Sequence, residues 1–453
     1  MSDLIKSLNR SYRDYLLKHQ EQVIGDFNGL NEFLLDHRCT FKGIPMPTLL
    51  KPNFISPEQS EILVANVEII SRALTKFINL YLSDEQVRRI MGFLDRENEL
   101  FAIEPDYSNP LVISRLDAFL NHTDLKFLEF NCDSPAGIAY SDVLEEGFKK
   151  LLNAYPFLNA YHISFTNRQD ILIKVLLDCY SEFRERKNNS FPKKPVVAII
   201  DWPDVSTFSE FELHQAHFRH HGIDTVIGAP QDFVIKGNKV YVREREVHLI
   251  YKRVITRELI EKWEEVVEFI RAIKEGLVCC CNSFRSYIVG NKKVLAMITD
   301  PRFSYIFSKE ERDYIDRTIP WTRILADEET LFRGRTVQIK SFVLTNKDIL
   351  VLKPANMYGG KDVYIGHETD FKTWEDITIR NLVDENWVVQ EYVDIPRDAY
   401  PEISGLVHFK SKYVNINPFA LSGLYAGTIT RISDSSVINV SAGGGLVPTL
   451  TVY

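Results

Sequence analysis

The sequence predicts a mixed α/β chain of several units, and three observations carry that prediction. A strand, Val196-Val197-Ala198-Ile199-Ile200, is followed by a helix over about 207–221 and a second strand, Thr225-Val226-Ile227. That succession opens a parallel sheet. Ahead of it, apolar residues recur at helical spacing, as in Leu4, Leu8, Tyr12, Tyr15 and Leu16. Beyond about residue 276, short apolar runs bounded by turn residues dominate. The 453 residues allow about three domains at roughly 150 residues each.

The elements follow in order. Residues 1–38 read as helix, and 57–80 as another that starts at Ser56-Pro57-Glu58-Gln59. Leu111-Val112-Ile113 and Lys126-Phe127-Leu128-Glu129-Phe130 are short strands, the second leading into the turn-rich Asn131 to Gly137. Residues 141–185 return to helix, and the Lys/Asn/Pro-rich stretch Arg186 to Pro195 reads as a linker. A hairpin about Lys236-Gly237-Asn238 precedes a strand from His248 to Lys252. Later strands are Ile349 to Leu352, Trp387 to Val389, Tyr413 to Asn417, Gly427 to Ile432 and Val437 to Val440. The expected units are 1–110, 111–190, 196–275 and 276–453.

Composition removes several classes. Apolar residues make up 45% and charged ones 26%, ordinary for a globular chain able to bury a large core. No apolar run approaches the ~18 residues of a membrane span. A net charge of −8 disfavours a nucleic-acid partner. The opening Met-Ser-Asp-Leu-Ile-Lys has no signal-peptide core. The six cysteines form no C-x-x-C pair, and Cys279-Cys280-Cys281 reads as a buried strand of small hydrophobes. A reducing, cytoplasmic setting is expected.

Four constellations carry chemistry. On a strand, residues two apart share a face, so Glu129 and Asn131 point together. A neighbouring strand over 111–120 would bring Asp117 beside them, with Arg115 on the same face. Three hard oxygen donors suit Mg²⁺ held against nucleotide phosphates; a surface salt bridge beside a polar turn is the plainer alternative. Second, Lys353 ends a strand and enters the loop Asn356 to Lys361, with Gly359 and Gly360. A strand-borne lysine and glycine amides suit phosphates, although Gly-Lys-Ser/Thr is missing and a plain glycine hairpin would look the same. Third, Gln390-Glu391-Tyr392-Val393 ends a strand whose edge could meet an adenine. Fourth, His214, His217 and His221 share a helix face at a spacing a transition metal could use. No carboxylate stands at the positions of a known zinc signature, and solvated or phosphate-touching histidines fit as well.

Taken together, these pieces resemble the ATP-grasp ligases in a changed order. Gly290-Asn291-Lys292-Lys293 resembles the first ATP-grasp piece, with Asn291 in place of the usual aspartate. Lys353 with its loop resembles the second, and Gln390 to Val393 the hinge. Thr430-Arg431-Ile432 with Asn439 to Gly445 resembles the penultimate piece. The last piece stands at the front, as Asp117 … Glu129-Phe130-Asn131. That order resembles the circularly permuted ATP-grasp family, similar to the synthetase domain of glutathionylspermidine synthase, over roughly 110–453.

The resemblance implies an ATP-grasp fold in permuted order, a preceding Rossmann-like α/β domain and a helical N-terminal region that matches nothing nameable. It implies Lys292 and Lys353 on the α- and β-phosphates of ATP, Asn356, Gly359 and Gly360 in a covering loop, and Gln390, Glu391, Tyr392 and Val393 on the adenosine. Asp117, Glu129 and Asn131 would hold one or two Mg²⁺. The implied reaction joins a small carboxylate to an amine through an acylphosphate, with Arg115 and Arg431 stabilising the developing charge. Lys252 and Arg253, at the end of a parallel strand, and Asn439, Gly443 and Gly444 are weaker candidates for binding the substrate. A silent or regulatory ATP-binding protein and a phosphotransferase on the same clamp are the alternatives.

Overall fold

The structure, a computed structural model, describes residues 3–357, 362–438 and 444–453. A four-stranded parallel sheet runs in the order Cys279–Cys281, Leu249–Lys252, Val197–Ile200, Thr225–Gly228. Alternate residues feed opposite cores. Ala198, Ile200, Ile250 and Cys280 join one apolar cluster, while Val197, Ile199, Leu249, Cys279 and Cys281 join another. Burial of both faces is the reason these strands read as unbroken apolar runs. The three cysteines are packing residues on an edge strand, as expected. The hairpin expected about 236–238 is present, as Phe233–Lys236 and Lys239–Val242.

A larger sheet gathers strands from distant parts of the chain. Its order is Asn53–Ile55, Gly445–Val452, Leu424–Ser433, Leu406–Leu421, Ile113–Asn121, Asp124–Asn131. The 113–131 hairpin therefore completes the sheet built by the C-terminal strands. The N-terminal region reaches the same sheet through Asn53–Ile55, which pairs in parallel with Thr449 to Thr451. Helix Pro57–Ser83 packs on the 406–421 and 424–433 strands. It starts at the expected Ser56-Pro57-Glu58-Gln59, which forms a capping box with the Ser56 hydroxyl accepting from the Gln59 amide.

A smaller antiparallel sheet, in the order Thr322–Ile324, Trp387–Glu391, Leu350–Pro354, Tyr364–Ile365, carries the second and third constellations. Leu350 and Leu352 alternate inward with Val389 against Trp374, which leaves Lys353 on the opposite face.

Several expected elements need correction. The 1–38 helix is two, Asp3–Lys18 and Gln20–Asp36. The helix expected over 141–185 is also two, Ile138–Asn153 and Arg168–Arg186. Pro156 begins a 3₁₀ turn between them, since it lacks the N–H that would continue the first helix. The strand expected from Leu111 begins at Ile113. Residues 434–437 bend away from the sheet instead of opening a strand, and 439–440 lie outside the described residues. No described helix is long and apolar enough to cross a membrane.

Candidate active site

The site grows from the pairing of two adjacent strands. In the 113–131 hairpin, Arg115 stands opposite Asn131 and Asp117 opposite Glu129. The register shifts by one residue between Asp117 and Ala118, so Leu128 is the extra residue of a β-bulge. The bulge turns Leu128 and Glu129 to the same side, where both line the cleft with Asn131. Without it, Glu129 would face the other side of the sheet, away from Asp117.

Asp117 is buried between two guanidinium groups. Arg115 Nε donates to its Oδ1 at 2.9 Å and Arg431 Nη1 to its Oδ2 at 2.9 Å. Burial alone would raise the carboxyl pKa, but Arg115 and Arg431 outweigh it and hold Asp117 below the usual range. Arg431 comes from the 424–433 strand, opposite Asn415 on the 406–421 strand. Residues 314 apart in sequence thus meet at one carboxylate.

The cationic wall comes from elsewhere. Lys292 Nζ lies 3.0 Å from Glu129 Oε1 and donates to the Met357 carbonyl at 2.6 Å. Its backbone N–H donates to the Ala355 carbonyl at 2.8 Å, which ties it to the end of the lysine strand. Lys353 Nζ donates to Gln390 Oε1 at 2.7 Å. Burial drives the Lys353 pKa down to about 8, helped by Lys292, while Glu129 opposes the shift.

One cleft is lined by Arg115, Asp117, Glu129, Asn131, Lys292, Lys353, Gln390 to Val393 and Arg431. The donors fit a hard divalent ion such as Mg²⁺. Glu129 faces the cleft with one oxygen on Lys292, and Asp117 Oδ1 accepts from Arg115 Nε alone, whereas Oδ2 accepts from Arg431 and, at 3.4 Å, from Arg115 Nη2. Asn131 is half-buried, with its amide Nδ2 buried and unpartnered. Flipping that amide, which has the same shape either way, presents an oxygen that a cation would satisfy.

Other expected residues have different positions. Asn356 lines a separate pocket with Asn291, Asn386 and Arg257, so it stands apart from the cleft. Gln390 is buried and spans Lys353 and Thr322, with Nε2 donating to Thr322 Oγ1 at 2.9 Å. It positions Lys353 from a buried place between two strands, so its role here is to orient that lysine. The N–H groups of Glu391 and Tyr392 already donate to Trp321 and Ile349 carbonyls, which removes them from the expected adenosine contacts. Gly444 is buried outside the cleft lining. Gly359, Gly360, Asn439 and Gly443 lie outside the described residues.

Lys252 and Arg253 are not ligand readers. Lys252 Nζ donates to Asp133 Oδ1 at 2.5 Å, and Asp133 Oδ2 accepts from the Thr256 amide at 2.6 Å. Arg253 Nη1 donates to the Pro135 carbonyl at 2.5 Å, and its Nη2 reaches Glu210 at 3.4 Å. Together they brace the 133–137 turn, on which Arg115 also rests through the Ala136 carbonyl at 2.8 Å. Lys252→Met should therefore lower the unfolding free energy by about 3 kcal/mol, since it strands a buried carboxylate. Urea unfolding checks this; unchanged stability with lost activity would restore the ligand-reading role.

The histidines also separate. His214 is buried, with Nδ1 beside Gln169 Oε1 at 3.1 Å, whereas His217 and His221 turn to Asp170. Sequence reasoning missed Asn415, which lines the cleft, and Arg333, whose Nη2 lies 2.5 Å from Glu391 Oε1. The alternation Val414-Asn415-Ile416-Asn417 was a signal for the first: two amides two apart in the C-terminal half of the strand, where the other residues from Val414 to Leu421 are apolar. Nothing in the sequence links Arg333 to Glu391.

Comparison with known proteins agrees with this layout. A family model described as a circularly permuted ATPgrasp matches residues 120–390, more than half of the chain. A protein of Frankia casuarinae named "Putative glutamate–cysteine ligase 2-2" is 24% identical over 272 residues. That match takes in 55% of this chain but spans only 30% of the relative's length. A glutathione synthetase-like effector from Globodera pallida superposes with a TM-score of 0.66 at 9% identity, over 95% of this chain and 97% of that one, a likeness of fold.

Proposed function

Because the chain belongs to the circularly permuted ATP-grasp family, we propose that it is an ADP-forming ligase that joins a small carboxylate to an amine. The observation that carries this reading is the convergence, in one cleft, of Asp117, Glu129 and Asn131 with Lys292, Lys353 and Arg431. An acid-and-amide wall facing a lysine wall is the arrangement a metal–triphosphate needs.

In this reading Lys292 and Lys353 hold the phosphates, and Glu391 with Val393 frames the adenosine. Asp117, Glu129 and Asn131 hold Mg²⁺, which when bound neutralises charge on the phosphates as the γ-phosphoryl group is transferred. Glu129, which pairs with Lys292 at 3.0 Å, would be the residue shared between that lysine and the ion. A substrate carboxylate oxygen attacks the γ-phosphorus, forming an acylphosphate and ADP. The amine then adds to the acyl carbon and phosphate leaves. Arg115 and Arg431, fixed by Asp117, place two guanidinium groups beside the developing oxyanion. The glutamate–cysteine ligase name of the Frankia relative favours an amino acid or peptide as the acid.

The test is ADP release from Mg²⁺-ATP with pools of amino acids and small peptides, with hydroxylamine present to trap the acylphosphate. Acid-dependent ADP with a matching hydroxamate is expected. ADP with a stable phosphorylated product would make the protein a phosphotransferase. A thermal shift by ATP without turnover under any pool would make it a silent binder.

A further inference from the structure

We propose that Asp170, His217 and His221 form a transition-metal site, of the zinc class, outside the active-site cleft. One oxygen or nitrogen from each lies within 4.8 Å of the other two. His217 and His221 are four residues apart at the end of helix Phe208–His220 and its cap, so their rings overlie at 4.5 Å between centroids. Asp170 comes from the first turn of helix Arg168–Arg186. His217 Nε2 lies 2.8 Å and His221 Nε2 3.4 Å from the same Asp170 Oδ1.

The hydrogen bonds behind these atoms aim them. His221 Nδ1 is 3.0 Å from the His217 carbonyl. A carbonyl only accepts, so that nitrogen carries the hydrogen and Nε2 of the neutral ring presents a lone pair. In that tautomer Nε2 points its lone pair at Asp170 Oδ1, and in the protonated ring the same nitrogen donates to it. A bound cation takes the place of that proton, and imidazole backed by a carbonyl is the usual state of a metal-bound histidine. The other carboxylate oxygen, Oδ2, accepts from Asn167 Nδ2 at 2.5 Å, which leaves Oδ1 for the histidines. A tetrahedral zinc with bonds of about 2.0–2.1 Å holds its ligand atoms roughly 3.3 Å apart. His217 and Asp170 need only part slightly to admit it, with water as the fourth ligand.

The position suggests a role. The two helices lie on either side of the 187–196 connection. The neighbour of Asp170, Arg168, is buried against Asp142 and Glu145 and donates to the Thr428 carbonyl of the large sheet. The helix with the histidines also bears Glu210, which accepts from the Gly137 and Ala139 amides. A metal here would staple the parallel-sheet unit to the large sheet.

Calorimetric titration of the full metal-free chain with Zn²⁺, and with Co²⁺ read by its visible absorption, tests the site. One Zn²⁺ per chain and the absorption of four-coordinate cobalt are expected. His217→Ala and His221→Ala should each weaken binding at least about tenfold, while His220→Ala, an exposed neighbour, should not. If His217→Ala fails to fold, Asp170→Asn and His221→Gln carry the same expectation. No binding by the wild type, or equal binding by all variants, would overturn the proposal. The readout is independent of ligase activity, so a silent active site would leave it intact.

Discussion

Glu129→Gln is expected to lower acid-dependent ADP formation by about 10²–10³-fold. Glutamine keeps the shape of the side chain and discards its charge. Two things are lost together: an anionic ligand for the metal and the counter-charge that holds Lys292 at 3.0 Å. Stability should fall by about 1–3 kcal/mol, because Lys292 is buried and loses its counter-charge, while glutamine can still accept its hydrogen bond. Magnesium titration separates the two losses. If Glu129 binds the metal, the variant needs more Mg²⁺ for half-maximal rate and recovers part of its activity when Mg²⁺ is raised. If Glu129 only pairs Lys292, the magnesium dependence will match wild type and its place in the metal site is refuted.

Local periodicity made the centre of this site legible. Glu129 with Asn131, and Arg115 with Asp117, stand two apart on strands, so each pair shares a face wherever the strand goes. The order of the motifs did the rest, by bringing the 113–131 hairpin to strands nearly 300 residues later. Period-two reasoning does not extend to a bulge: Leu128 faces the cleft although its parity says otherwise. Nor does it reveal partners. Lys252 and Arg253 looked available because Asp133 and Pro135 lie more than 100 residues away in sequence. Gln390 looked like a nucleotide contact because Lys353 and Thr322, which its amide bridges, are on other strands. In each case the residue type was readable and its commitment was not. Commitment depends on long-range pairing, and no local spacing encodes that. The first 110 residues show the same limit, since the pairing of Asn53–Ile55 with the C-terminal strand has no local mark.

Lys353 makes the second large prediction, and its direction follows from burial. Desolvation lowers its pKa from the ordinary 10.5 to about 8. Phosphate recognition needs the ammonium form. kcat/KM for ATP, which reports the free enzyme, should be flat below about pH 8 and fall about tenfold per unit above it. Lys353→Met should lower kcat/KM by about 10²–10³-fold at neutral pH and abolish the limb. Lys353→Arg, charged at every accessible pH, should also lose the limb while retaining part of the activity. The linkage to folding gives an independent readout. Between about pH 8 and 10.5 the unfolded chain holds the Lys353 proton and the native state does not, so stability rises with pH across that window. Below it both states are protonated and the native state bears the full cost of a buried charge. Denaturant unfolding of wild type minus Lys353→Met should therefore climb through that window. A flat difference, with a wild-type rate that holds to pH 10, would mean that Lys353 keeps its proton and that Glu129 outweighs the burial.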